Sequence, residues 1–264
     1  MDLSALTTEV ISVTKQSGEF IRREAINFDR EKIEYKGLHD MVSYVDKTAE
    51  MNLVRGLKIL LPEAGFITEE KTNTILEDEY NWIIDPLDGT TNFVHGVPTF
   101  SISIALQHKE ELILGVVYEI NRDECFSAWK NGGAYLNGKK ISVSKAMTIE
   151  NTLLATGFPF YEFSKLEPYL NVMRVLMQKC HGLRRIGSAA IDLAYVACGR
   201  FDGYFEYNLN SYDVAAGIVL VKEAGGEVFD FSGGNNSIPK REIIATNGKI
   251  SSELLEIIKH EFDQ

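Results

Sequence analysis

The sequence is short of the residues that build several common kinds of site. Its 264 residues include only three cysteines, Cys125, Cys180 and Cys198, which lie far apart and show no metal-ligand spacing. The five histidines are scattered as well, so a zinc site is not expected. This cysteine usage favours a reduced, cytoplasmic setting.

Long apolar runs are also absent. No stretch approaches the roughly 20 apolar residues that a membrane-spanning helix needs. The amino terminus, Met1 to Ser4, lacks the basic region and apolar core of a signal peptide. No internal repeat, low-complexity tract or flexible linker stands out, so we expect one compact catalytic unit with no membrane segment.

Basic residues are outnumbered by acidic ones, with 27 Lys and Arg against 38 Asp and Glu and a formal net charge of -11. A negative surface repels nucleic acids and anionic membranes, so we expect neither as the main partner. The charge suits an enzyme that concentrates cations, although an acidic surface is more often only a feature that keeps a protein in solution. The length allows a large core in one large or two modest domains.

The most informative stretch runs from Trp82 to Phe93. Its first residues are apolar and are followed by a proline, which predicts a buried strand that ends at the protein surface. Asp85 lies at the end of this strand, and Asp88 follows one tight turn later. Two carboxylates at this spacing can bind Mg²⁺, and the Leu87 carbonyl between them offers a third oxygen. The simpler interpretation is a strand and turn with an aspartate cap.

The residues after Asp88 favour a different ligand. Gly89 permits a backbone conformation that other residues resist, and Thr90 and Thr91 offer hydroxyl and N–H groups as the start of a helical turn does. Exposed N–H groups at a helix start attract anions such as phosphate. A metal site beside a phosphate site indicates phosphoryl chemistry.

The first part of the chain reads as two amphipathic helices followed by a strand. Apolar spacing predicts helices over about 3–27 and 43–60, separated by a charged loop at 29–40. Asp46 lies near the start of the second helix, where its simplest role is that of a solvated acid or of an acid that pairs with the helix dipole. The short strand that follows ends at Glu69, which is either a delivered ligand or part of a solvated loop.

The rest of the chain changes pattern twice. Alternating residues and Asn-Gly turns from about 99 to 143 predict an antiparallel sheet of hairpins. Strands and helices then alternate, with helices expected at about 163–179, 188–198, 214–224 and 250–261. This predicts an α+β or mixed αβ fold. We expect an amino-terminal α+β subdomain at 1–145 and a carboxy-terminal α/β subdomain at 146–264.

Five segments together resemble the motifs of the inositol monophosphatase family. They are Asp40–Asp46 (D-x-V-T-x-x-D), Ile67–Glu70 (G-E-E), Asp85–Asn92 (D-P-[IL]-D-G-T-x-N), Gly187–Ala190 (G-[ST]-A-A) and Ser211–Gly217 (W-D-x-A-[AG]-G). They occur in the family's order over most of the chain. Thr68 replaces the usual Gly and Tyr212 the usual Trp, which affects the expected substrate fit and lithium sensitivity but removes no carboxylate.

The resemblance implies a fold, a cofactor and a set of metal ligands. The fold is the layered αβαβα sandwich of the inositol monophosphatase and fructose-1,6-bisphosphatase type. The cofactor is two or three Mg²⁺ per site. Glu69, Asp85 and the Leu87 carbonyl are expected to hold one ion, and Asp85, Asp88 and Asp213 the second, with a third ion near Glu69.

It also implies catalytic and substrate-binding residues. Glu69, Thr90 and Asp46 are expected to orient and deprotonate the attacking water. The substrate is expected to contact the following residues: Asp88, Gly89, Thr90, Gly187, Ser188, Ala189, Glu206 and Asp213. From local sequence alone, Glu206 is equally well a surface acid at the end of a strand.

The substrate expected from the resemblance is inositol-1-phosphate. Relatives that act on nucleotide 3′-phosphates or histidinol phosphate tend to carry Lys at the position of Thr91. The alternatives are a sugar or polyol phosphatase, including a fructose-1,6-bisphosphatase, and a regulatory protein that binds a partner and keeps residual phosphatase activity. Some bacterial family members are reported to contact the transcription machinery. Lithium inhibition and a homodimer are implied as well.

Overall fold

A computed structural model describes residues 1–28, 33–35, 41–72, 74–159, 162–234 and 241–263. Asp40 and most of the expected loop at 29–40 lie outside the described residues.

The described residues contain seven α-helices and fourteen strands. The helices are α1 (Leu3–Ile26), α2 (Tyr44–Leu60), α3 (Thr90–His95), α4 (Leu166–Lys179), α5 (Ala189–Ala197), α6 (Ser211–Glu223) and α7 (Ser251–Phe262). The first nine strands are β1 (Ile33–Tyr35), β2 (Met41–Ser43), β3 (Gly65–Thr68), β4 (Tyr80–Asp88), β5 (Ser101–His108), β6 (Glu111–Glu119), β7 (Glu124–Trp129), β8 (Gly133–Leu136) and β9 (Lys139–Ile141). The last five are β10 (Leu153–Thr156), β11 (Gly182–Arg184), β12 (Gly203–Tyr207), β13 (Glu227–Phe229) and β14 (Glu242–Thr246).

The two predicted amino-terminal helices are confirmed, and side chains cap both. Asp2 accepts the backbone N–H groups of Ser4 and Ala5 at 3.0 and 3.1 Å, which begins α1. Ser43 and Asp46 form a capping box that begins α2. These bonds satisfy N–H groups that have no partner within the helix.

The predicted hairpins are confirmed as part of a seven-stranded sheet ordered β3-β4-β5-β6-β7-β8-β9. β3 is parallel to β4, and the other neighbours are antiparallel. Asn137 and Gly138 join β8 to β9 with φ angles of 48° and 75°. Positive φ at both positions is what a tight two-residue hairpin requires.

The second half forms a five-stranded sheet ordered β11-β10-β12-β14-β13. β10 is parallel to both neighbours, and β14 is antiparallel to both. Two helix starts differ from expectation. α6 begins three residues earlier, at Ser211, because Asp213 accepts the Asn210 N–H at 2.6 Å and starts the helix there. α4 begins later, at Leu166, after a turn in which Glu162 accepts the Ser164 N–H.

The elements stack in five layers, which confirms the αβαβα sandwich. α1 and α2 cover one face of the large sheet, α5 and α6 lie between the two sheets, and α4 and α7 cover the far face of the small sheet. β4 shows why its sequence is apolar throughout. Trp82 and Ile84 face the α1–α2 layer and Ile83 faces the α5–α6 layer, so both sides of the strand are buried.

No helix of the described residues combines the length and the apolar character that crossing a bilayer requires.

Candidate functional site

A cavity of about 560 Å³ lies where the end of β4 meets the starts of α5 and α6. It brings together residues that are far apart in the sequence. All of the expected site residues except Asp46 line it. Ten of these eleven residues come from the end of β4, the starts of α3, α5 and α6, and β12, and the eleventh, Glu69, follows β3. The lining includes Glu69, Asp85, Leu87, Asp88, Gly89, Thr90, Gly187, Ser188, Ala189, Glu206 and Asp213.

The turn at the end of β4 differs from expectation in one respect. The strand does not end at Pro86 but continues to Asp88 through a register shift against β5 between Asp85 and Asp88. The bulge leaves Pro86, which has no N–H to donate, outside the ladder. Asp85 Oδ1 accepts the Leu87 N–H at 3.0 Å, which fixes the turn.

Gly89 links this turn to α3 in a conformation that favours glycine. Its φ is 95°, and a Cβ atom there would lie 3.1 Å from the Thr99 carbonyl oxygen and 3.2 Å from the Gly187 carbonyl oxygen. α3 then begins at Thr90, as the expected helical turn requires.

Asp46 lies behind the cavity rather than on its lining. It is fully buried, so the solvated alternative is wrong, whereas its place in the capping box of the first turn of α2 agrees with the alternative of an acid that pairs with the helix dipole. Its Oδ2 accepts the Ser43 N–H at 2.8 Å and the Ser43 hydroxyl at 2.6 Å, and its Oδ1 lies 3.0 Å from Thr90 Oγ1. Burial raises the pKa of Asp46, and the hydrogen bonds from Ser43 and Thr90 oppose that rise. Thr90 Oγ1 is also 2.9 Å from the Leu87 carbonyl oxygen.

Glu69 and Asp85 approach each other closely enough to share a hydrogen bond, and both line the cavity. Burial raises the pKa of each well above its usual range, and repulsion from neighbouring carboxylates, including Asp213, raises it further. Glu69 Oε2 is buried and has no hydrogen-bond partner. A carboxylate oxygen without a partner, beside other acids, fits a bound divalent cation, which would satisfy it and offset the repulsion.

The remaining two expected ligands are held at helix starts. Asp88 Oδ2 accepts the Ser188 hydroxyl at 2.6 Å and the Ala190 N–H at 2.8 Å, and burial raises its pKa to about 6. Asp213 is held by the Asn210 N–H, and burial raises its pKa to about 7. Within the described ranges, no three His, Cys, Asp or Glu side chains are already grouped to hold a metal ion. The carboxylates share one cavity, and hydrogen bonds hold Asp88 and Asp213 at the starts of α5 and α6.

The wall on the α5 side is built from the predicted glycine and serine. Gly187 has a φ of 91°, and Ser188 caps α5 by accepting the Ile191 N–H at 3.3 Å. Ser188 also contacts Ser101 of β5 at 3.1 Å, which ties α5 to the large sheet.

Glu206 is buried in β12, so the alternative of a surface acid is wrong. Its Oε2 accepts the Tyr204 hydroxyl at 2.5 Å. Burial raises the pKa of Glu206 to about 8, and the hydrogen bond from Tyr204 opposes that rise.

Two residues that line the cavity, Asp192 and Arg185, and one residue of α3, Asn92, were not expected as site residues from the sequence. Asp192 is 1% exposed, its Oδ1 has no hydrogen-bond partner, and its pKa is raised well above the usual range by burial and then by Glu206. The sequence feature that could have identified Asp192 is an acidic residue within the otherwise apolar run of α5. Arg185 lines the cavity and lowers the pKa of Asp88. Asn92 donates to the carbonyls of Thr99 and Ile186, both at 2.8 Å, and so joins α3 to the segment before α5.

Known proteins share both this sequence and this fold. The model of the inositol monophosphatase family matches residues 2–262. A relative named putative Nus factor SuhB, from Neisseria meningitidis serogroup B, is 42% identical over 245 residues, which cover 92% of this chain and 94% of the relative. A relative named inositol-1-monophosphatase, from Mesorhizobium japonicum, is 36% identical over 260 residues, or 98% of each chain.

A solved structure agrees with these matches. The crystal structure of extragenic suppressor protein suhB from Bartonella henselae has a TM-score of 0.91 and 39% identity, and the match covers 97% of this chain and 98% of that one. The family model matches nearly every residue of the chain, and the solved structure has the same fold over nearly the same length. The chain therefore belongs to the inositol monophosphatase family.

Proposed function

We propose that the chain is a Mg²⁺-dependent phosphatase that hydrolyses phosphate monoesters of small polyhydroxy alcohols, with inositol-1-phosphate as the first candidate. The observation that carries the proposal is the shared cavity. In it, carboxylates from both halves of the chain line the same cavity as the turn at Gly89 and the buried Glu206. This arrangement suits a phosphate that is attached to a group rich in hydroxyls.

The proposal gives each acid a role. The residues that would hold Mg²⁺ are Glu69, Asp85, the Leu87 carbonyl, Asp88 and Asp213, from both the large sheet and α6. Bound Mg²⁺ supplies positive charge that neutralises the phosphate and makes a nearby water more acidic. We extend the proposal to two or three ions per site and to the division of the chain at 145/146, which assigns Asp213 to a different subdomain from the other ligands.

The chain's own residues then carry out the hydrolysis. Thr90, held by Asp46 at 3.0 Å, orients a water in line with the ester bond, and Glu69 accepts a proton from it. The water oxygen forms a bond to phosphorus as the bond to the alcohol oxygen breaks, and that oxygen takes up a proton. The N–H groups of Gly89 and Thr90 bind the phosphate oxygens.

The polyol is assigned to the part of the cavity lined by the start of α5 and by β12. Ala189 offers its backbone N–H there, and Glu206 accepts hydrogen bonds from hydroxyl groups. Gly187 and Ser188 shape this wall, and Asp88 and Asp213 reach it from the metal side. The name of the Mesorhizobium relative supports inositol-1-phosphate over the alternatives, which are sugar phosphates and fructose-1,6-bisphosphate.

The family resemblance adds two properties to the proposal, inhibition by lithium and assembly as a homodimer, and the cysteine usage adds a cytoplasmic location. Tyr212, next to Asp213, stands where the family has Trp and is the residue most able to change the lithium response. Full activity in millimolar lithium would contradict the first property. A sedimentation experiment that detects only the monomer would contradict assembly as a homodimer.

A second candidate function is regulation through a protein partner. It is favoured by the relatives that are named Nus factor SuhB, such as the one from Salmonella typhimurium at 40% identity over 257 residues. Those names limit the argument from net charge. A charge of -11 disfavours direct contact with nucleic acid, but it leaves open a partner in the transcription machinery that is itself bound to nucleic acid.

The Asp88→Asn variant tests the two functions against each other. Phosphate release with Mg²⁺ is measured on inositol-1-phosphate, fructose-1,6-bisphosphate, histidinol phosphate and adenosine 3′,5′-bisphosphate, with Asp78→Asn, at an exposed loop position, as the matched control. We expect a preference for inositol-1-phosphate and a loss of at least about 100-fold in Asp88→Asn alone, since a ligand to the metal is removed.

Other outcomes lead elsewhere. A best rate on adenosine bisphosphate would keep the metal site and overturn the substrate assignment based on Thr91. No release from any compound, together with an Asp88→Asn variant that still supports growth of a deletion strain, would favour the partner-binding function.

A further inference from the structure

α2 presents two buried carboxylates on one face. Asp46 and Glu50 are four residues apart, about one helical turn, and both are 0% exposed. Asp46 contacts Thr90, in the segment that carries Asp85 and Asp88. Glu50 faces the other segment that brings a carboxylate to the cavity, the turn after β3.

Both oxygens of Glu50 are occupied by that turn. Its Oε2 accepts the Glu70 N–H at 2.7 Å, and its Oε1 accepts the Thr72 N–H at 2.8 Å and the Thr72 hydroxyl at 2.6 Å. All three donors follow Glu69 within three residues. Hydrogen bonds to a carboxylate are among the stronger ones in proteins, and here they converge on one side chain.

The turn itself adopts an uncommon conformation. Lys71 has a φ of 55°, in the left-handed region that residues other than glycine rarely enter. Lys71 and Thr72 are exposed, so water is available to this turn. A fully buried carboxylate is therefore not needed to satisfy its N–H groups, and burying one costs solvation free energy. Such an arrangement is expected where the conformation of the turn has a use.

We propose that Glu50 is a positioning residue for the metal site: it holds the turn at Glu70–Thr72 so that Glu69 faces Asp85. The Glu69 N–H is bonded to the Ile84 carbonyl at 3.3 Å, so the backbone before the turn is fixed by β4. Glu50 fixes the backbone after it. Asp46 accepts a hydrogen bond from Thr90 in the same way. Through these two acids, α2 would set the distance between the turn that carries Glu69 and the segment that carries Asp85 and Asp88.

This inference rests on the proposed role of Glu69 as a ligand to Mg²⁺. Two variants test it by removing different hydrogen bonds of Glu50. Glu50→Gln keeps the shape of the side chain but places an NH₂ group against a backbone N–H, so at least one bond is lost. Thr72→Val removes only the hydroxyl bond. Thr74→Val, at an exposed position in the same loop, is the matched control.

The measurement is the Kd for Mg²⁺ by titration calorimetry of the full chain without substrate, with the thermal midpoint in EDTA recorded for each variant. We expect Glu50→Gln to raise the Kd by about 10- to 100-fold, the range seen when residues that orient metal ligands are changed. Thr72→Val should raise it by less, and Thr74→Val should leave it unchanged. Saturating Mg²⁺ should restore most of kcat in Glu50→Gln.

The outcomes separate this role from the proposed function and from a structural role. A lower thermal midpoint in EDTA with an unchanged Kd for Mg²⁺ would show that Glu50 only supports the fold, which overturns the inference. If Glu50→Gln does not fold, the Kd of Thr72→Val decides in the same way. If the wild-type chain binds no Mg²⁺, the proposed function itself fails. If it binds Mg²⁺ and both variants bind equally well, only the positioning role fails.

Discussion

Replacing Gly157 by alanine tests the role of Glu206 without removing a carboxylate. Gly157 follows β10 and lines the cavity. A Cβ atom there would lie 1.9 Å from Glu206 Cδ and 2.0 Å from each of its carboxylate oxygens. Two atoms cannot remain at such distances, so the Glu206 carboxyl group must leave its position in the wild-type chain.

The cost of this change should appear in substrate binding more than in folding. The clashing atoms are the far end of a flexible side chain, so the backbone of β12 can stay in place, and we expect the free energy of unfolding to fall by about 1 kcal/mol, the low end of the range for added core volume. A hydrogen bond between Glu206 and the polyol contributes about 1.5 kcal/mol. Its loss lowers kcat/KM for inositol-1-phosphate by about tenfold.

The assay compares two substrates of different chemistry. We expect kcat/KM of Gly157→Ala to fall on inositol-1-phosphate and to stay nearly constant on p-nitrophenyl phosphate, which has no hydroxyl groups for Glu206 to bind. Gly182→Ala is the control, since a Cβ atom in that strand would approach only Arg184 at 3.1 Å and Leu153 at 3.8 Å. Equal losses on both substrates, or no loss on either, would refute the assignment of Glu206 to the polyol.

Two further predictions concern stability. The pKa of Glu206 in the folded state, about 8, lies above its ordinary value of 4.5, so folding favours the protonated form and stability is lost as the pH rises between these values. Glutamine does not titrate, so in EDTA the free energy of unfolding of Glu206→Gln should rise relative to that of the wild type as the pH increases from about 5 to 8. Urea titrations at several pH values measure this difference, and a difference that does not change with pH would contradict the prediction. Gly115→Ala places a Cβ atom 2.5 Å from the Ala216 carbonyl oxygen. Because that oxygen belongs to the backbone of α6, the helix must shift, and we expect the free energy of unfolding to fall by about 1–3 kcal/mol. An unchanged free energy of unfolding in urea titrations would contradict the close packing of β6 against α6.

Sequence alone determined the elements whose signals are local. Apolar spacing located α1 and α2 to within a residue or two, and Asn137-Gly138 gave a hairpin because only a few residue types accept positive φ at both positions. The motifs also selected the residues of the candidate site in advance, since the identity of a side chain limits what it can bind. The role of each of those residues remains a proposal that the experiments above address.

Tertiary structure decided which of these side chains lose water and which meet. Nothing in the sequence indicates that Asp46 and Glu50 are buried, but packing of α2 against the large sheet buries both. Asp88 and Ser188 are 100 residues apart in the sequence, yet Ser188 Oγ lies 2.6 Å from Asp88 Oδ2 because β4 ends and α5 begins at the same cavity. Asp192 was missed for the same reason. A local pattern fixes dihedral angles over a turn or two, whereas burial and long-range hydrogen bonds depend on how separate layers pack together.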